Sequence, residues 1–357
     1  MNAEKIRNFL RKYDLGNLLL IFLSMIYFFA IWTRKCLYRC AILRSRRFKT
    51  RIICFGNISS GGTGKTSAVI EAAKLISTRG KKTAIIMRGY GRTKNSRETV
   101  ILNKSSSSDI SFSGDEAMVI KDSLKEYEVP VLVNPRRVEA ASKAEELFSP
   151  DLILMDDGFQ HFAIERDLDF LLINAREAMR DSLLPYGNLR EPYSAIRRAD
   201  AVILTHCENS NQQGLSAIEG EIKKINSDCP ILRSRHVFEK IYRPADKKVI
   251  SLSELQNEKF SAFSSIGDPD SFEKNITENG IKLARTLRYP DHHPFSEEDL
   301  KNLSNICHDT QILTTYKDFV RLPDIWKELL GKKLHIFSIR LSFDGQDSER
   351  FISILGL

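Results

Sequence analysis

The chain has 357 residues, 42% of them hydrophobic and 28% charged, with a formal net charge of +8. That length suits two domains of ordinary size, and the composition excludes a disordered or fibrous chain. The charge is concentrated: residues 1–51 carry twelve Lys or Arg against Glu4 and Asp14, a net of +10, leaving 42 basic and 44 acidic residues from Ile52 onward. The body therefore lacks the basic surface that nucleic-acid binding uses.

The first element is the uncharged run Leu15 to Thr33, rich in Leu, Ile and Phe. As a helix it would be about 28 Å long, marginal for crossing a hydrocarbon core of about 30 Å. A cleaved signal peptide, a buried core helix and a membrane-associated helix all share this composition. The flank that follows, Arg34, Lys35, Arg39, Arg44, Arg46, Arg47, Lys49 and Arg51, favours the third, because cations lie well among anionic lipid head groups. The same cations put the following domain on the cytoplasmic side.

From Arg51 onward short apolar runs alternate with amphipathic stretches, the signature of βαβ units around a parallel sheet. Strands are predicted at Arg51 to Phe55, Thr83 to Met87, Val129 to Asn134, Asp151 to Met155, Leu168 to Ile173 and Ala201 to Thr205. Helices are predicted at Lys65 to Arg79 and Val138 to Phe148. The polar stretch Lys94 to Ser111 reads as a surface loop. Beyond Ile231 the rhythm resumes at Lys248 to Ile250, Phe260 to Ile266, Ile312 to Thr315 and Leu334 to Ile339. The expected fold is α/β: a membrane-associated segment over 1–50, a P-loop NTPase-like parallel-sheet domain over 51–230, and a smaller α/β domain over 231–357. The six cysteines have no C-x-x-C spacing and read as free thiols in a reducing compartment.

Between the first predicted strand and helix lies Ser59-Ser60-Gly61-Gly62-Thr63-Gly64-Lys65-Thr66. Glycines in this context let backbone N–H groups converge on the phosphates of ATP at a helix N-terminus. Lys65 would neutralise phosphate charge and Thr66 would offer its hydroxyl to Mg²⁺. The first glycine of the usual G-x-x-x-x-G-K-T is Ser59. A second motif, LILMDDGFQH at Leu152 to His161, delivers carboxylates to the C-terminal edge of a parallel sheet, where Asp157 and Gln160 could complete a Mg²⁺ shell. A third, Gly114-Asp115-Glu116, opens a helical stretch, and Asp291-His292-His293 lies far downstream. A kinase acting on a hydroxyl benefits from a carboxylate or imidazole that accepts the proton; an N-cap Asp and a turn His fit the same residues.

Taken together the motifs resemble the tetraacyldisaccharide 4′-kinase family of lipid A biosynthesis. The pieces are GNISSGGTGKT at Gly56–Thr66, RGYGR at Arg88–Arg92, GDE at Gly114–Glu116, DDGFQH at Asp156–His161, LREP at Leu189–Pro192, YPDHHPF at Tyr289–Phe295 and TTYKD at Thr314–Asp318. The resemblance implies transfer of the ATP γ-phosphate to the 4′-hydroxyl of a tetraacyldisaccharide 1-phosphate at the cytoplasmic face of a Gram-negative inner membrane. No nucleic-acid partner is expected from the charge distribution, and no obligate protein partner is inferred. The family's loop also lacks the first glycine. By the resemblance Asp115 is the general base with His292 as its partner, Asp157 and Gln160 lie near the metal, and Arg88, Tyr90, Arg137, His161 and Arg190 fall in the phosphorylated-sugar segments, as do Glu116 and Asp156. The chain departs from the family at Ser67, where Pro is frequent, and at Tyr316, where Glu is frequent. The same loop would serve a membrane-anchored ATPase switch with no small-molecule acceptor; the two differ in whether label from ATP ends on a lipid.

Overall fold

Thirteen strands lie among the residues that the computed structural model describes, which are 3–89, 98–103, 113–177, 179–255 and 258–357. In chain order they are β1 (Arg51–Gly56), β2 (Thr83–Met87), β3 (Val100–Leu102), β4 (Val131–Val133), β5 (Leu152–Asp156), β6 (Leu168–Asn174), β7 (Ala201–Thr205), β8 (Ile231–Arg243), β9 (Lys248–Ile250), β10 (Phe260–Ser264), β11 (Leu283–Arg288), β12 (Gln311–Thr314) and β13 (Leu334–Phe343). The predicted strands recur within a few residues. β8, β11 and β3 were not expected: β11 is exposed on alternate residues, and β3 lies inside the stretch read as a loop, most of which is outside the described residues.

The chain forms two compact units. One contains the N-terminal segment to Arg88, Val129–Arg235 and Phe343–Leu357; the other contains Gly89–Glu128 and His236–Ser342. The contiguous boundaries 51–230 and 231–357 are corrected accordingly. The C-terminal helix Asp347–Leu355 returns to the first unit because Phe351 is fully buried there, its ring 5.3 Å from Phe170 and 6.4 Å from Phe55. Arg51 closes that helix by donating to the Leu355 carbonyl at 2.7 Å. The N-terminal segment also belongs to the first unit rather than standing apart.

In the first unit the order β8-β7-β6-β1-β5-β2-β4 is parallel throughout. Except at their ends, β1, β2, β4, β5, β6 and β7 are buried, as strands covered on both faces must be, while β8 is buried only at intervals. β1 sits in the middle between β5 and β6, and the chain leaves its C-terminal end into the Gly-rich turn and the helix Lys65–Thr78. That helix packs through Ala68, Val69, Ala72, Ala73 and Ile76, small residues that let it approach the sheet closely. Its N-cap, Gly64, has φ 73°, a left-handed conformation that glycine adopts without strain. The long apolar helix spans Asp14–Arg39, further than the uncharged run alone, and a short helix Ala3–Leu10 precedes it. It is long and apolar enough to cross a membrane, yet it touches the unit on one side: Leu20 is buried, while Leu15, Phe22 and Phe29 are exposed.

The second unit has the order β11-β10-β12-β13-β8, with β9 antiparallel to β8 and β10, β11, β12 and β13 parallel. Its core is two apolar clusters, around Phe260, Ile276 and Leu313 and around Phe263, Leu300 and Leu334.

One glycine tests the packing beside the turn. A Cβ on Gly56 would lie 2.6 Å from Phe159 Cβ and 2.8 Å from its backbone nitrogen, so neither atom can yield cheaply. Gly56→Ala should lower stability by about 1–3 kcal/mol, read as a fall in the denaturation midpoint; an unchanged midpoint would show that this crossing is slack.

Candidate functional site

Two polar clusters form, one in each unit. In the first, β5 ends at Asp156 in register with Phe55 of β1, so the residues after both strands emerge side by side. Asp157 follows with φ 50°. Its carboxylate accepts from Arg190 Nη1, which lies 3.0 Å from both oxygens, and pairs with Lys65 Nζ at 3.6 Å. Its carbonyl accepts from Arg137 Nη2 at 2.9 Å. Burial pushes the Asp157 carboxyl up, but Lys65 and Arg190 outweigh it and hold it below the usual range, so it stays ionised. Lys65, Arg137, Asp157 and Arg190, singled out from separate motifs, therefore meet in space.

The turn itself is braced at both ends. Asn57 Nδ2 donates to Thr63 Oγ1 at 3.0 Å, and the Thr205 hydroxyl donates to the Thr63 carbonyl at 3.2 Å. Gly61 and Gly62 are exposed, with nothing within 4 Å of where a Cβ would stand. Gln160 donates its amide to the Asn57 carbonyl at 2.8 Å and to Glu191 Oε1 at 3.0 Å; Glu191 is itself gripped by Arg198. Both partners are acceptors, so the Gln160 NH₂ faces them and its Oε1 is left as an oxygen donor. The Thr66 hydroxyl, the ionised Asp157 and Gln160 Oε1 are hard oxygen donors, a chemistry that fits Mg²⁺.

Around this cluster the buried Asp156 and the Arg88 guanidinium both act on Arg137. Tyr90 lies outside the described residues. His161 is surrounded by cations: burial, then Arg137, Arg166, Arg34 and Arg88, pull its imidazole down to about 3, and its Nε2 is buried without a hydrogen-bond partner.

In the second unit the helix Asp115–Ser123 starts at Asp115, with Gly114 as N-cap. The N-cap reading of Asp115 is thereby corrected: it is the first helical residue. Asp115 Oδ1 accepts the Glu116 N–H at 3.0 Å, while Oδ2 lies 3.1 Å from His292 Nδ1 and 3.0 Å from Arg321 Nε. His292 Nε2 is 3.3 Å from Lys317 Nζ, which also sits 3.7 Å from Glu116. An ammonium can only donate, so Nε2 accepts and the Nδ1–H points at Asp115. His293, by contrast, stacks on Tyr289 at 5.0 Å and bonds Asp299 at 3.1 Å, a packing role. Burial raises the Asp115 carboxyl, but the His292 hydrogen bond and the charges of Lys317 and Arg321 outweigh it and bring it to about 2.

Arg321 and Ser265 were not singled out from sequence. Arg321 Nη1 donates to Ser265 Oγ at 2.7 Å, and that hydroxyl donates to Asp318 Oδ1 at 2.6 Å. Asp318 is fully buried, and Thr315 caps its short helix by accepting the Asp318 N–H at 3.1 Å. The available signal was spacing: Lys317 and Arg321 stand i, i+4, on one side of a helical turn. Tyr316, the departure from the family pattern, donates its hydroxyl to Asp122 Oδ2 at 2.5 Å, so its exchange for Glu leaves Lys317 in contact with His292.

A Gly-rich turn after the central strand of a parallel sheet, opening a helix with Lys-Thr and facing an aspartate on the neighbouring strand, defines a P-loop nucleotide-dependent phosphotransferase. The family described as tetraacyldisaccharide-1-P 4′-kinase matches residues 16–355. The tetraacyldisaccharide 4′-kinase of Elusimicrobium minutum is 36% identical over 348 residues, 97% of this chain and 93% of that one. That of Geobacter metallireducens is 31% identical over 316 residues, 87% of this chain and 90% of that one. The crystal structure of LpxK from Aquifex aeolicus in complex with ATP aligns with TM-score 0.75 at 28% identity, over 95% of this chain and 99% of that chain.

The chain belongs to the tetraacyldisaccharide 4′-kinase family. Its reaction is ATP-dependent phosphorylation of the 4′-hydroxyl of a tetraacyldisaccharide 1-phosphate, giving lipid IVA.

The lowered His161 makes stability depend on pH. Unfolded, the imidazole binds a proton near 6.5; folded, only near 3. The stabilisation is complete above the unfolded value and is lost as pH falls through that window. Urea midpoints measured from about pH 7 down to about pH 5 should fall more steeply for wild type than for His161→Asn; parallel curves would mean that His161 protonates freely in the fold.

Proposed function

We propose that the two clusters divide the reaction between them. Backbone N–H groups of Ser59–Gly64 grip the ATP phosphates, Lys65 neutralises charge on the transferring group, and Thr66, Asp157 and Gln160 hold Mg²⁺. When bound there, the ion would supply neutralisation of phosphate charge. Asp115 accepts the proton of the 4′-hydroxyl while the 4′-oxygen forms its bond to the γ-phosphorus. The bond from that phosphorus to the bridging oxygen breaks, and ADP leaves with the electron pair. His292 orients Asp115 through Nδ1–H.

A carboxylate at about 2 is a weak base, which suits a loose transition state. Such a reaction needs the hydroxyl aimed and its proton accepted late, rather than an alkoxide made in advance. The observation that carries the assignment is the contact of Asp115 Oδ2 with both His292 and Arg321.

Arg88, Tyr90, Glu116, Arg137, Asp156, His161 and Arg190 bind the sugar phosphate, the arginines through forked hydrogen bonds. The acyl chains have an apolar cavity of about 670 Å³ available, between Ile21, Met25, Phe28 and Phe29 of the long helix and Leu183 and Pro192. The helix Asp14–Arg39 and its basic flank hold the protein at the cytoplasmic face of the inner membrane, where an acylated substrate resides.

Purified protein incubated with γ-labelled ATP, Mg²⁺ and the acylated disaccharide 1-phosphate in detergent should place label on the lipid. Label appearing solely as free phosphate would favour an ATPase switch. Asp115→Asn should lower kcat by about 10²–10⁴ with little change in ATP affinity; an unaltered kcat removes the base from Asp115. Arg321→Met takes a cation from Asp115, so its carboxyl should rise from about 2 and the acid limb of the rate profile should move to higher pH. A stationary limb would mean that another group titrates there.

A further inference from the structure

The first half of the phosphate loop is held from outside the loop. The Ser60 N–H donates to the Asn188 carbonyl at 2.7 Å, and the Ser60 hydroxyl donates to the same oxygen at 2.9 Å. Ser59 makes an antiparallel bridge with Leu189, and the Arg190 N–H donates to the Ile58 carbonyl at 2.7 Å. Residues 58–60 thus run as a short ladder along 188–190. Since Gly61 and Gly62 have no neighbour within 4 Å of a Cβ position, the loop's curvature rests on this ladder and on the bonds that Asn57 and Thr205 make to Thr63.

The segment that supplies the ladder is also the seat of the N-terminal helices. The Arg7 guanidinium donates to the Gly187 carbonyl at 2.7 Å and to Asn188 Oδ1 at 2.8 Å. The Ser24 hydroxyl donates to the Leu183 carbonyl at 3.0 Å and accepts the Tyr186 N–H at 3.1 Å. The Tyr27 hydroxyl donates to the Arg190 carbonyl at 3.2 Å. There is little slack: the Asn188 N–H is fixed on Asp181 Oδ2 at 3.1 Å, and a Cβ on Gly187 would lie 2.0 Å from the Ser182 carbonyl oxygen. Asn188 therefore joins Arg7, on the arm, through its side-chain oxygen to Ser60, in the loop, through its carbonyl.

We propose that Asn188 is a positioning residue for the phosphate loop and that Arg7 holds it in register, so that seating of the N-terminal arm sets the affinity for ATP. This rests on the reading of Ser59–Thr66 as the ATP loop. A loop already curved when nucleotide arrives loses less conformational freedom on binding. Coupling of this kind is reciprocal, so ATP strengthens the seat of the arm in turn.

The test is equilibrium ATP binding, with KM values for both substrates, on full-length protein in detergent and in phosphatidylglycerol vesicles. Arg7→Ala and Asn188→Ala should raise the ATP dissociation constant and the KM for ATP about five-fold or more. The KM for the lipid acceptor should stay as in wild type. Arg7→Lys should recover part of the loss. Lys12→Ala, which removes an exposed charge from the same arm, should bind ATP as wild type does. Unchanged ATP affinity in both Arg7→Ala and Asn188→Ala overturns the proposal, as does an equal loss in Lys12→Ala. Should either variant fail to fold, Tyr27→Phe, which loses one hydroxyl, must show a smaller rise in the same constant. Failure of wild type to bind ATP would overturn the loop reading instead.

Discussion

The first unit is organised by an excess of cationic charge at the C-terminal ends of β1 and β5. Lys65, Arg137 and Arg190 converge on Asp157, and Arg88 and Arg166 add to the field felt by His161. Even with Asp156 acting on Arg137 and Asp169 paired with Arg166, these cations outnumber the carboxylates beside them. Such a site is held together internally only in part, and it is completed by an anion with several oxygens. A nucleotide polyphosphate and a sugar phosphate are anions of that kind.

The second unit shows the opposite arrangement, a single carboxylate held by donors. Asp115 receives His292 and Arg321 on one oxygen and a backbone N–H on the other. That grip fixes its direction and lowers its basicity. For phosphoryl transfer, where positioning and charge stabilisation carry most of the rate, direction is the more useful property.

The N-terminal segment is a part of the first unit. Its polar side chains at 24 and 27 bond to the backbone of 183–190, while Leu15, Phe22 and Phe29 remain exposed. The same helix thus presents one side to the protein and leaves an apolar side exposed, and the segment it rests on borders the phosphate loop. The long apolar helix is thereby within hydrogen-bonding distance of the segment that borders the phosphate loop.

Hydrophobic alternation and the Gly-rich turn fixed much in advance: the parallel sheet, the loop between β1 and its helix, Asp157 at the end of β5, and the long apolar helix were legible because each depends on neighbours in the chain. β11 escaped notice because half its residues face solvent, and residues 89–128 and 343–357 were assigned to the wrong units because contiguity carries no information about which core receives a segment. Local sequence could say that Asp115 opens a helix and that His292 and His293 share a turn. The family resemblance, not local sequence, paired His292 with Asp115; that Arg321 joins it and that Asn188 braces Ser60 depend on pairs separated by more than a hundred residues. Only the packing of the folded chain chooses such partners, because contact energies between distant residues are written in no single stretch of sequence.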